Sequence, residues 1–141
     1  MLEIGKSYTI EQVVTPEMTA RAIGSGGLEV FGTPFMMAMM EHAAMDCVQP
    51  DLPEGKGTVG VDIQSSHLAP TPVGMTVRAT ATVTGVSENG KLITFRVEAS
   101  DDWGPIGEGT HTGRHCQRPL PAEVQRQADA GQAKIAKTRR A

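Results

Sequence analysis

Three residues stand where their types can do chemistry: Thr33, Glu41 and His67. Thr33 opens the run TPFMMAMMEHAAMDC, residues 33–47, in which Met and Ala, both good helix formers, predominate. Read as a helix, this run makes Thr33 an N-cap and puts Pro34 where a missing N–H costs nothing. Free N–H groups at such a helix start favour an anion or a developing oxyanion. Glu41 shares its side of the helix with Met37, Ala38, Ala44, Met45 and Val48, so its carboxylate needs a pair or a hydrogen bond. His67 ends an otherwise apolar strand face beside the turn APTPVG. A Thr, a Glu and a His can form a hydroxyl nucleophile with a base and an orienting carboxylate, or they can hold and activate a water.

Each has a plainer reading. Thr33 serves as a cap with or without another role, and His67 fits a hydrogen-bonded packing residue; Glu41 is the hardest to explain by structure alone. Thr33 and Glu41 are separated by about 12 Å along a helix axis, so a compact site draws one of them from a partner chain. His42 and Asp46, four apart, read as a surface pair. His111 and His115 lie on a strand about 13 Å apart, too far to share a metal. The helix methionines are core first, although Met also adapts to flexible acyl groups.

The elements that must position these residues follow from periodicity. Apolar residues run almost all the way round the helix of about 14 residues, which marks it as enclosed. Ser7–Val14 alternates as a first strand, and Glu17–Ile23 reads as a short helical piece before the glycine cluster 24–27, whose order does not fit a phosphate cradle. Thr58–Leu68 reads as a second strand with Val59, Val61, Ile63, Ser65 and His67 on one face. Met75–Val86 alternates most clearly, Glu88–Gly90 signals a hairpin, and Lys91–Ala99 returns with Ile93, Phe95, Val97 and Ala99 inward. Asp101 and Asp102 read as turn residues, and Ile106–His115 completes a meander whose glycines leave room for a close neighbour. Pro121–Ala130 suggests a short helix before a basic tail in which Arg118, Arg126, Lys134 and Lys137 read as solvated. The fold class is therefore α+β, a curved antiparallel sheet wrapped around one central helix. Its open edge favours pairing with a second copy.

Composition narrows the function. A chain of 141 residues with net charge −3 and pI near 5.8 forms one domain and carries no basic footprint for nucleic acid. No apolar run approaches a membrane span, and MLEIGKSYT has no signal-peptide pattern. Cys47 and Cys116 read as free thiols in a reducing compartment, so a cytoplasmic protein is expected.

The segments VFGTPFMMAMMEHA, GTVGVDIQSSHLAPTPVGMTV and IGEGTHTG resemble the hotdog-fold thioesterases of the fluoroacetyl-CoA thioesterase-like group, and the similarity runs to about Gln127. The resemblance implies that Thr33, Glu41 and His67 carry thioester hydrolysis and that Gly60 lies beside the bound acyl group. Phe31, Phe35 and Met37 are then candidate acyl contacts. The fluoroacetyl-specific enzyme has a longer, phenylalanine-bearing segment ahead of its helix. This segment here is AIGSGGLEVFG, with Phe31 its only aromatic residue, so the resemblance carries thioester chemistry over and leaves fluoroacetyl specificity without support.

The expectation is one hotdog domain over residues 1–127 with a tail over 128–141. It is a homodimer or higher oligomer that hydrolyses a small or modest acyl-CoA without metal or resident cofactor, coenzyme A entering with the substrate. A non-catalytic acyl-thioester or small hydrophobic ligand binder, and another hotdog chemistry such as dehydration, are the alternative readings.

Overall fold

The structure, a computed structural model, describes residues 2–117, 122–123, 125–127 and 129–131. Along the chain come β1 (Ser7–Val13), a 3-10 turn (Pro16–Met18), α1 (Ala20–Ile23), α2 (Thr33–Val48), a second 3-10 turn (Gln49–Asp51), β2 (Lys56–His67), β3 (Thr76–Val86), β4 (Leu92–Asp101) and β5 (Gly104–Gln117). The strands form one antiparallel sheet in the order β1-β3-β4-β5-β2. The predicted piece Glu17–Ile23 is split in two, since Thr19 ends the 3-10 turn and its hydroxyl accepts from Ala22 N at 3.2 Å to start α1.

The helix α2 has 16 residues and packs Met36, Met40, Ala43, Ala44, Cys47 and Val48 into the core. Burying a Met side chain contributes about 1.5–3 kcal/mol. Opposite lie the inward residues of the two central strands, Val77, Ala79, Ala81 and Val83 from β3 with Ile93, Phe95, Val97 and Ala99 from β4, as their alternation predicts. The hairpin between them turns at Gly90, φ 72°, where Asn89 Oδ1 accepts from Lys91 N at 3.0 Å. The glycines of β5 admit the helix closely: a Cβ on Gly107 would sit 2.6 Å from Met36 Sδ.

Three expectations need correction. Thr33 is not the N-cap. Gly32 holds that place, with its carbonyl accepting from Met36 N at 3.1 Å, because a side chain there would press to 2.9 Å from Ile23 Cδ1 and 3.2 Å from Ala20 N. Thr33 becomes the first helical residue, and its hydroxyl is released from capping.

The face assigned to β2 fails over its first half. A bulge at Val61, between Gly60 and Asp62 in the register with β5, reverses the alternation. Val59 and Val61 are 45% and 53% exposed, and Gly60 joins the helix-facing side instead.

Nor is α2 enclosed within one chain. Pro34, Ala38 and Met45, spaced along one stripe with Glu41 among them, stay largely open beside the free edge of β2.

The link from β2 to β3 crosses the end of the sheet and is fastened at Thr71, which is fully buried. Its hydroxyl donates to Asp101 Oδ2 at 2.6 Å, while Asp101 Oδ1 accepts from Trp103 N at 2.8 Å and Gly104 N at 3.2 Å. Asp101 is thus an anchor rather than a plain turn residue. Cys47 and Cys116 are free thiols, and no helix among the described residues is long and apolar enough to cross a membrane. Of the predicted C-terminal helix and tail, Pro121 and the basic residues Arg118, Lys134 and Lys137 lie outside the described residues.

Replacing Asp101 with Ala strips the buried Thr71 hydroxyl and two N–H groups of their acceptor, and is expected to cost about 2–4 kcal/mol in urea unfolding.

Candidate active site

Thr33 and His67 meet across the end of the sheet, with Thr33 Oγ1 2.6 Å from His67 Nδ1. Each is held by its own element. Gly32 N donates to Met18 O at 2.8 Å and fixes the start of α2, while His67 pairs with Gly107 at the end of β2, where Leu68 N donates to Ile106 O at 2.6 Å. Phe31, buried, stands edge-on to the imidazole with centroids 6.5 Å apart and planes at 81°. Around them lies a cleft of about 240 Å³ lined by Ala20, Ser25, Val30, Phe31, Thr33, His67, Leu68, Ala69 and Pro70.

The electrostatics favour a neutral ring. Burial pushes the His67 pKa below its ordinary value, with the backbone of Ala69 acting weakly in the other sense, and Nε2 is enclosed without a hydrogen-bond partner in good geometry. In the neutral ring with its hydrogen on Nε2, the Thr33 hydroxyl donates to Nδ1, the arrangement of a hydroxyl nucleophile and its base. The helix start offers less than its sequence suggests. Pro34 has no N–H, and the N–H groups of Phe35 and Met36 both donate to Gly32 O, leaving that of Thr33 unengaged in the first turn.

Glu41 is elsewhere. It forms a second cluster with Gly60 and His111, lining a cavity of about 310 Å³ with Val61, Asp62 and Ile63 and an adjoining one of about 180 Å³ with His42, Met45 and Thr58. A Cβ on Gly60 would lie 2.8 Å from Glu41 Oε2 and 3.2 Å from His111 Cε1, so the carboxylate reaches in only because residue 60 has no side chain. The bulge at Val61 is what turns Gly60 toward the helix. The two clusters share no lining residue, as the helix spacing of Thr33 and Glu41 requires.

Of the remaining candidates, Phe31 lines the Thr33–His67 cleft and Gly60 the Glu41 cavity. Phe35 and Met37 are half-buried, and neither lines a cleft with the reactive groups. His42 pairs with Asp46 at 3.1 Å on an exposed helix face. Among the described residues no set of His, Cys, Asp and Glu is arranged for a metal ion.

His111 is the residue that sequence reasoning passed over, weighing it only as a metal ligand. Its signal lies in the parity of β5, where Gly107, Gly109, His111 and Gly113 fall on one side. A single imidazole in a row of glycines is a side chain given space on purpose.

Comparison with known proteins places this geometry in context. Residues 14–114 match the family described as fluoroacetyl-CoA-specific thioesterase. The fluoroacetyl-CoA thioesterase of Streptantibioticus cattleyicolor is 34% identical over 138 residues, covering 92% of this chain and 97% of that one. Among solved structures, a point mutant of the fluoroacetyl-CoA-specific thioesterase in complex with fluoroacetate and CoA superposes with a TM-score of 0.77 at 34% identity, covering 83% of this chain and 97% of that one. A hot-dog-like protein from Thermanaerovibrio acidaminovorans reaches 0.76 at 25% identity over 89% of each chain.

The depressed pKa of His67 predicts a sign for stability against pH. The unfolded chain takes up this proton near the ordinary value of 6.5 and the folded chain only at lower pH, so between the two the unfolded state binds more protons. The contribution is present above pH 6.5 and lost as pH falls through the folded value. Urea unfolding from pH 7.5 down to about 5.5 is therefore expected to show a steeper loss of stability for the wild type than for His67→Gln.

Proposed function

This chain belongs to the fluoroacetyl-CoA-specific thioesterase family, of the hotdog fold, and from that membership we propose that it hydrolyses the CoA thioester of a small or modest acyl group to the free acid and coenzyme A. The observation that carries the reading is the 2.6 Å contact of Thr33 Oγ1 with a half-buried imidazole in a cleft of about 240 Å³. Nucleophile and base are already within proton-transfer distance. The small residues Ala20, Ser25 and Ala69 in the cleft wall leave space that a short acyl chain fills.

In the proposed reaction Thr33 Oγ1 attacks the thioester carbonyl as its proton passes to His67 Nδ1. The C–S bond then breaks and the thiolate of coenzyme A takes that proton. Water attacks the acyl-threonine, giving one proton to the carboxylate of Glu41, and that proton passes on to the Thr33 oxygen as the acid is released. No metal is invoked, and coenzyme A is substrate rather than resident cofactor. CoA thioesters and free thiols both suit the cytoplasm, where we place the enzyme.

A second copy supplies what one chain lacks. The free edge of β2, with Val59 and Val61 exposed on one face and the open stripe of α2 on the other, is a border that a homodimer would cover. Antiparallel pairing of two β2 strands about an axis at Gln64, with the bulged Val61 skipped in the register, sets His67 of one copy opposite Gly60 of the other. Glu41 lies against Gly60, so the same pairing carries the carboxylate of one subunit to the Thr33–His67 pair of its neighbour.

Thiol release from a panel of short, aryl and long acyl-CoA esters tests the reading. Turnover is expected with short acyl groups and is expected to fall by about 100-fold or more in Thr33→Ala and His67→Ala, with Thr33→Ser partly active. Full activity in Thr33→Ala would remove the nucleophile from this account, and no turnover on any ester would remove the thioesterase.

A further inference from the structure

The Glu41 cluster holds a second histidine whose ring is fixed by two unrelated contacts. His111, almost fully buried, stacks on Phe95 with centroids 5.6 Å apart and planes 23° from parallel, and its Nδ1 lies 2.9 Å from the backbone oxygen of Asp62. A carbonyl oxygen can only accept, so Nδ1 carries the hydrogen and donates. In the neutral ring Nε2 is then bare, an acceptor. The Cε1 corner that joins the two nitrogens faces Gly60, 3.2 Å from where a Cβ would stand, and Glu41 Oε2 converges on the same point at 2.8 Å. Among the described residues no side chain donates to the Glu41 carboxylate or to His111 Nε2.

Two acceptors thus border one cavity of about 310 Å³. Their complement is a small group with two donors. We propose that Glu41 and His111 Nε2 form a seat for the hydrolytic water, with His111 as its positioning residue. A water that donates one hydrogen to each acceptor turns a lone pair away from both, which is the orientation needed for attack on a carbonyl. As the new O–C bond forms, the hydrogen on the Glu41 side passes to that carboxylate. The hydrogen on His111 stays with the acid product, and the proton taken by Glu41 passes on to the displaced Thr33 oxygen, so that carboxylate and hydroxyl are both restored. The amide N–H groups of a pantetheine arm carry one donor each and match the pair less well. The inference rests on the thioesterase reading above, but both residues of the seat come from one chain.

Two substitutions separate the nitrogens. In His111→Asn the amide N–H₂ takes the place of Nδ1 and keeps the bond to Asp62 O, while the Nε2 acceptor is lost. In His111→Gln an amide oxygen reaches the Nε2 position and the Asp62 bond is lost. The expected result is a fall in kcat of about 10–100-fold for His111→Asn, with KM within about twofold and an unchanged melting temperature, and recovery to within about tenfold of wild type in His111→Gln. Wild-type kcat in His111→Asn would overturn the proposal, as would equal losses in both variants accompanied by lower melting temperatures.

Nitrogen-15 NMR of histidine-labelled protein gives a readout independent of turnover. His111 is expected as the Nδ1–H tautomer, its bare Nε2 resonance moving in Glu41→Gln; an Nε2–H tautomer, or no response to that change, would overturn the seat. A wild type that releases no thiol from any ester sinks the thioesterase reading instead, and the NMR result then decides the seat alone.

Discussion

A helix rises about 1.5 Å per residue, and that fixed spacing holds Thr33 and Glu41 about 12 Å apart on α2. No rotamer closes such a gap. The two ends of the helix segment therefore serve two different clefts, one with His67 and one with Gly60 and His111. The proposed homodimer follows from this constraint as much as from the open edge of β2. An apolar stripe on α2 left bare beside the free edge of β2 is costly for a single chain and useful to a pair.

Both clefts depend on glycines that forbid something. Gly32 leaves no room for a side chain, so it takes the cap and releases the Thr33 hydroxyl to the imidazole. Gly60 leaves room for the Glu41 carboxylate, but only because the bulge at Val61 turns it inward. His67 and His111 then differ in a way their environments explain. The first is half-buried with Nδ1 facing a hydroxyl that can donate, and the second is buried with Nδ1 committed to a backbone oxygen that can only accept. Both rings are histidines of the inner sheet face, yet each presents a different nitrogen to chemistry.

Most of the fold was legible in the sequence because β3 and β4 alternate without interruption and α2 is free of breakers. The site was legible in part. Residue type and position marked Thr33, Glu41 and His67, and the resemblance to hotdog thioesterases marked Gly60. What escaped was everything decided by tertiary contact. A Thr-Pro start reads as a cap until the crowding of Ile23 and Ala20 around Gly32 is known. A strand alternation read straight through Val61 puts the wrong valines inside, since a bulge adds a residue without leaving a strong sequence signal. The helix read as enclosed because apolar residues circle it, and composition does not say whether the cover comes from the same chain. His111 was overlooked because its meaning depends on Phe95 and Asp62, both distant in sequence.

The central claim is that each working site joins Thr33 and His67 of one copy to Glu41 of another. Refolding an equal mixture of Thr33→Ala and Glu41→Gln chains, each inactive alone, tests it most directly. Random pairing makes half of the dimers mixed, and each mixed dimer holds one site with both groups intact, so the account predicts recovery to about a quarter of wild-type thiol release. If the mixture stays as inactive as its parents while mixed dimers demonstrably form, Thr33 and Glu41 act within one chain and the account is wrong.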